Sequence, residues 1–98
     1  MAISVNWHND ALRDLTDIVD YLESAGEIQA AYSFKERMID RIDFVSKYPG
    51  VGRPSKSRKN LRYILIDKHR RMYYRYTSRA LTILAFFDAS QDPNKAPF

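Results

Sequence analysis

The spacing of apolar positions changes period along the chain. Ile3, Val5 and Trp7 alternate with Ser4 and Asn6, which predicts a short strand with one buried face. Leu12, Leu15, Ile18, Val19 and Leu22 then recur at helical spacing, while Asp10, Asp17, Asp20 and Glu23 lie mainly on the other side. His8 or Asn9 is placed to cap this helix, and Asp10 and Asp14 suit the positive end of its dipole. Gly26 suits a left-handed C-terminal position. A second helix is predicted from about Glu27 to about Lys47, with Ile28, Ala31, Phe34, Met38, Ile42 and Val45 as its apolar stripe. So short a connection requires an antiparallel helical hairpin.

Pro49, Gly50, Gly52 and Pro54 end helix formation, and the polar, basic stretch to Asn60 reads as a surface loop. Three strands are predicted next, over 61–67, 71–77 and 81–88, turning at Lys68-His69-Arg70 and at Ser78-Arg79 as an antiparallel meander. Met72, Tyr74 and Tyr76 alternate with Arg71, Tyr73 and Arg75. In the third strand Leu81, Ile83, Ala85 and Phe87 are expected on one face and Leu84 and Phe86 on the other, so it belongs inside the sheet. The tail after Asp92-Pro93 is expected to fray. The order is β-α-α-β-β-β: one α+β domain over 1–98, its helical hairpin packed on one face of a small curved, mainly antiparallel sheet. The opposite face is expected to be concave and polar, with Arg62, Tyr73 and Arg75 among its residues.

At 98 residues the chain has room for one modest core, and 45% apolar with 13% aromatic residues argue against disorder. The absence of cysteine excludes disulfides, thiolate zinc sites and cysteine nucleophiles, and sits easily with a reducing compartment. No apolar run reaches membrane-spanning length, and the first residues lack the pattern of an export signal, so the expectation is a soluble cytoplasmic protein without membrane contact. The net charge of +4 hides a division. Residues 1–46 carry nine acids against four bases, and residues 47–98 carry twelve bases against three acids. Arg53, Lys56, Arg58, Lys59 and Arg62 cluster in the basic half, which points to an anionic partner, either nucleic acid or an acidic protein segment.

His8 and His69 are isolated, and neither a phosphate-binding glycine loop nor a serine-nucleophile elbow is present, so no metal or cofactor is signalled. Metal-free RNA cleavage needs a base, an acid and cations, for which Arg62, Arg75, Lys56 and Lys59 are available. Tyr63, Tyr73, Tyr74 and Tyr76 offer stacking surfaces for bases, although alternate strand tyrosines more simply pack on their neighbours. Arg62 opens a buried strand between Leu61 and Tyr63; its structural alternative is an ion pair with Asp88 or Asp92.

The ordered set Val5-Asn6-Trp7, Ala11 to Leu15, Ile18 to Leu22, Ala31, Phe34, Ile42, Tyr48 to Arg53, Leu61-Arg62, Tyr73 to Tyr76 and Ile83 to Asp88, leading to Gln91-Asp92-Pro93, resembles the RelE/ParE superfamily of type II toxin–antitoxin toxins over nearly the whole chain. The resemblance implies a cognate antitoxin that wraps the toxin, with a homodimer or toxin–antitoxin heterotetramer left open. It implies one of two activities: ParE-like poisoning of DNA gyrase, or RelE-like metal-independent cleavage of mRNA on the ribosome. Arg62 and Arg75 match arginines common in the superfamily and are the candidate catalytic cations. Arg53, Lys56, Arg58, Lys59, Arg62, Arg71 and Arg75 are the candidate target- or antitoxin-binding residues. Many relatives carry His where this chain has Asp88, and Arg where it has Ser90 and sometimes Gln91. A carboxylate there repels phosphate, which moves the expectation toward the ParE-like activity, with a relic that only binds antitoxin as a further alternative.

Overall fold

A computed structural model describes residues 2–56, 58, 60–89 and 93–98. Strand β1 (Ser4–Trp7) leads into helix α1 (Asn9–Ser24), which begins with the His8 imidazole accepting the Asp10 backbone N–H at 3.1 Å. The helix ends in a Schellman motif: Glu27 N–H reaches Leu22 O at 2.8 Å, Gly26 N–H reaches Glu23 O at 3.0 Å, and Gly26 takes φ +79°. Helix α2 (Ile28–Lys47) follows at once, completing the hairpin. A single 3₁₀ turn (Pro49–Val51) then leads to β2 (Arg53–Pro54), β3 (Leu61–Leu65), β4 (Arg70–Tyr76) and β5 (Ala80–Asp88).

The five strands form one mixed sheet in the order β1-β5-β4-β3-β2. β3, β4 and β5 are the expected meander, and β5, flanked by β1 and β4, lies inside the sheet. β1 pairs parallel to β5, and the two-residue β2 forms an edge within the stretch read as loop. The main core lies between helices and sheet. Ala11, Leu22, Ala31, Phe34, Met38 and Val45 from the helices meet Met72, Tyr74, Leu81, Ile83 and Phe86 from the sheet. Ile3, Val5 and Trp7 of the first strand segment pack against the same core, as their alternation requires. Leu12 and Ile28, assigned to the buried stripes, are instead 47% and 64% exposed; they sit at the flanks of their helices.

The register shifts at β4 Tyr73/Tyr74, where Ala85 and Ile83 are the successive partners and Leu84 is the extra residue of a bulge. The bulge reverses the phase of β5. Leu81, Ile83 and Phe86 therefore face the helices, while Leu84, Ala85 and Phe87 belong to a second, smaller cluster with Leu61, Tyr63, Tyr73 and Phe98. This corrects the simple alternation read from sequence. Asp14 on α1 fits the same irregularity: its Oδ2 accepts the Phe86 N–H at 3.1 Å.

Burial pushes the Asp14 carboxyl above the usual aspartate value, with the neighbouring Asp10 and Asp17 adding to the rise against the Phe86 N–H bond. A raised folded-state pKa means that the stabilising contribution is complete below the ordinary aspartate value of 3.8 and is lost as pH rises through the folded value. Asp14→Asn keeps an acceptor for Phe86 and removes the charge. It is expected to be more stable than wild type at pH 7, with the difference shrinking toward pH 3.8 in thermal melts across that range. A variant less stable at every pH would show that the charge itself holds the bulge.

Candidate functional site

The sheet face away from the helices is where the basic half of the chain gathers. Its floor is apolar and aromatic: Leu61, Tyr73 and Ala85 are buried there, bordered by Tyr63, Leu84 and Phe87. Tyr63 and Tyr73 are cross-strand partners with ring centroids 5.5 Å apart. The Arg71 guanidinium lies 4.7 Å from the Tyr63 ring centroid, and its Nε is buried without a hydrogen-bond partner. One cavity of about 660 Å³ is lined by Arg53, Lys56, Tyr63, Arg71, Tyr73 and Phe98, among others. A second, of about 410 Å³, is lined by His8, Arg58, Asn60, Leu61, Arg75, Leu84 and Phe98. Phe98 stands between them, its ring 5.4 Å from that of Tyr73 and 5.5 Å from the Arg58 guanidinium. Phe98, in the tail expected to fray, thus packs on the sheet.

Five of the cations named from sequence therefore share this region: Arg53, Lys56, Arg58, Arg71 and Arg75. Lys59 lies outside the described residues, as do Ser90, Gln91 and Asp92. Tyr73, expected on an open polar surface, is only 1% exposed, because Phe98, Tyr63 and the strand neighbours cover it. Arg62 is not beside Arg75. It pairs across the sheet with Tyr74 of the main core, whereas Arg75 pairs with Leu61 of the second cluster, so the two arginines occupy opposite faces. Arg62 Nη1 donates to Gly52 O at 2.7 Å instead of bridging to Asp88.

That bond belongs to a knot holding the proline- and glycine-rich loop. The Tyr74 hydroxyl accepts the Gly52 N–H at 2.9 Å and donates to Pro49 O at 2.7 Å. Burial pushes the Tyr74 hydroxyl above its usual pKa, which keeps it neutral and able to donate. Asp88 is similarly committed to the fold. Its Oδ2 is 3.7 Å from Arg70 Nη2, while Arg70 Nη1 bonds Asp67 Oδ2 at 3.1 Å.

His8 is the residue that sequence spacing missed. The parallel pairing of β1 with β5, which ends with His8 N–H bonding Ile83 O at 2.9 Å, brings it to the cavity that holds Arg58 and Arg75. Its Nδ1 accepts from Asp10 N–H, so the neutral ring carries its proton on Nε2 and offers a donor. The arrangement can bind anions and pack on apolar or aromatic groups, but it does not present the free imidazole lone pair that a general base requires.

The architecture is a helical hairpin laid over one face of a five-stranded sheet, with a cationic, aromatic-floored opposite face. The family model described as "ParE toxin of type II toxin-antitoxin system, parDE" matches residues 5–93, and the chain belongs to that family, within the RelE/ParE superfamily. Solved structures share the fold at low identity. The chromosomal ParDE toxin–antitoxin system from P. aeruginosa aligns with a TM-score of 0.73 and 19% identity, covering 89% of this chain and 96% of that one. The E. coli DinJ-YafQ toxin–antitoxin complex gives 0.64 and 9%, covering 92% and 96%. The YoeB/ParE toxin from Agrobacterium tumefaciens gives 0.64 and 15%, covering 88% and 98%. No curated protein sequence matches the chain. Among the described residues, no helix is long and apolar enough to cross a membrane.

Proposed function

We propose that this toxin acts by binding, in the ParE-like manner, interfering with DNA gyrase until a cognate antitoxin captures it. The observation that carries this reading is the chemistry of the cationic face. Arg53, Lys56, Arg58, Arg71 and Arg75 supply positive charge, while His8 spends its Nδ1 lone pair on the α1 cap and Arg62 is tied on the other side of the sheet. Such a face supports capture of an acidic surface better than general acid–base cleavage. Tyr21, Ile28, Tyr32 and Ile39 stand largely exposed on the helices and offer apolar surface for an antitoxin segment.

A second reading, ribosome-dependent mRNA cleavage without metal, draws on one feature: His8, Arg58 and Arg75 line the same cavity. Expression without antitoxin separates the two. Growth arrest with SOS induction and trapped cleaved DNA supports gyrase poisoning, whereas rapid loss of translated mRNA overturns it in favour of cleavage. Arg75 is exposed and lies opposite Leu61 on the sheet face away from the main core, so Arg75→Glu is expected to leave the melting temperature within a few degrees. The same variant is expected to weaken inhibition of purified gyrase by about tenfold or more. Full inhibition by the variant would remove Arg75 from the binding surface.

A further inference from the structure

Phe98 is the chain's own occupant of the cationic face. Its ring rests on Tyr73, and one wall of each flanking cavity is Phe98 itself. The contact adds no strand pairing and reaches the sheet through the short turn Pro93–Lys95. Among the described residues, Phe98 is the one lining residue that the cavities of about 660 and 410 Å³ have in common, so the two together trace a trough interrupted by its ring. Leu61, Tyr63 and Tyr73 form its floor, and Lys56, Arg58, Arg71 and Arg75 stand along its sides.

We propose that this trough is a docking site for an acidic peptide segment carrying an aromatic side chain, and that Phe98 is a displaceable plug. The partner's ring takes the place of the Phe98 ring on Tyr73, and its carboxylates meet the arginines on either side. Phe98 shows the shape of the occupant, an aromatic ring beside a guanidinium, and the charge around it selects the sign of the partner. The Arg71 guanidinium, held 4.7 Å from the Tyr63 ring centroid, lines the same cavity and adds positive charge for an incoming carboxylate. The proposal rests on the reading of this face as a binding surface but not on gyrase as the target.

A plug competes with its replacement, so the apparent affinity is lowered by the fraction of molecules in which it is seated. A fluorescein-labelled acidic peptide with a central phenylalanine, followed by anisotropy, is expected to bind Phe98→Ala about fivefold more tightly than wild type. Affinity should fall as salt is raised, and a peptide with the phenylalanine replaced by glycine should lose the gain. In Phe98→Trp, saturating peptide should shift indole emission to the red as the ring leaves Tyr73 for water. Unchanged or weaker binding by a folded Phe98→Ala protein, or an indole that stays in place at saturation, would overturn the plug. An equal gain for a single-stranded oligonucleotide would overturn the peptide assignment in favour of nucleic acid.

Discussion

Gly52→Ala is expected to lower the melting temperature by about 15 °C, corresponding to about 3 kcal/mol for a domain of this size. An added Cβ at this position would stand 2.4 Å from the Tyr74 hydroxyl and 2.9 Å from Tyr63 O. Neither neighbour can yield cheaply. Tyr63 O is backbone, and its residue pairs with Arg53 and with Tyr73. The Tyr74 hydroxyl is held from two sides, by Gly52 N–H and by Pro49 O. Relief therefore moves the loop away from the sheet, which breaks the tyrosine and Arg62 hydrogen bonds together and exposes the edge at β2. Glycine is needed here for close approach and not for a positive φ. A melting temperature within a few degrees of wild type would show that the loop is not knotted to the sheet as described.

Arg70→Ala is expected to destabilise by about 3 kcal/mol at neutral pH, the range for removing one partner of a mostly buried ion pair. Arg70 is 14% exposed, and Asp67 and Asp88 are each 16% exposed. The guanidinium also lies 5.6 Å from the Phe34 ring centroid, so its removal opens a gap against the main core. Burial alone would raise the Asp67 carboxyl. The His69 N–H, the Arg70 side chain with its charge, and the Arg70 N–H outweigh burial and hold it below the usual value. A depressed folded-state pKa contributes stability that is present above the ordinary aspartate value of 3.8 and lost as pH falls through the folded value. The deficit of Arg70→Ala should accordingly shrink in acid. Urea titrations at neutral pH and below pH 3.8 check this, and a constant deficit would assign the loss to packing on Phe34.

Local signals made most of the fold readable. Gly26 after the α1 stripe marked the left-handed residue that ends the helix, and Pro49 to Pro54 stopped α2 at Lys47. Leu81 to Phe87 identified an inner strand but concealed its bulge, because a run apolar on both faces has no phase for an extra residue to disturb. The two-residue β2 was hidden by Pro54, which donates no ladder hydrogen bond and is tolerated only at such an edge. The site was readable as composition and not as geometry. The clustering of Arg53, Lys56 and Arg58 was visible, but the register that sends Arg62 and Arg75 to opposite faces is a long-range property. His8 enters through a parallel pairing across most of the chain, and Phe98 through a tertiary contact without periodic signal.

The layering of helices over sheet has an electrical consequence. Asp10, Asp17, Asp20, Glu23, Glu36, Asp40 and Asp43 are exposed on the helical layer, and Lys56, Arg58 and Arg75 are exposed at the far side of the strands. A separation of opposite signs across the thickness of the molecule is a permanent dipole moment, and a dipole in a non-uniform field feels a torque before it touches anything. Near an anionic macromolecule the protein rotates strand-side first and arrives already aligned. Added electrolyte weakens that alignment, slowing capture more than it hastens departure.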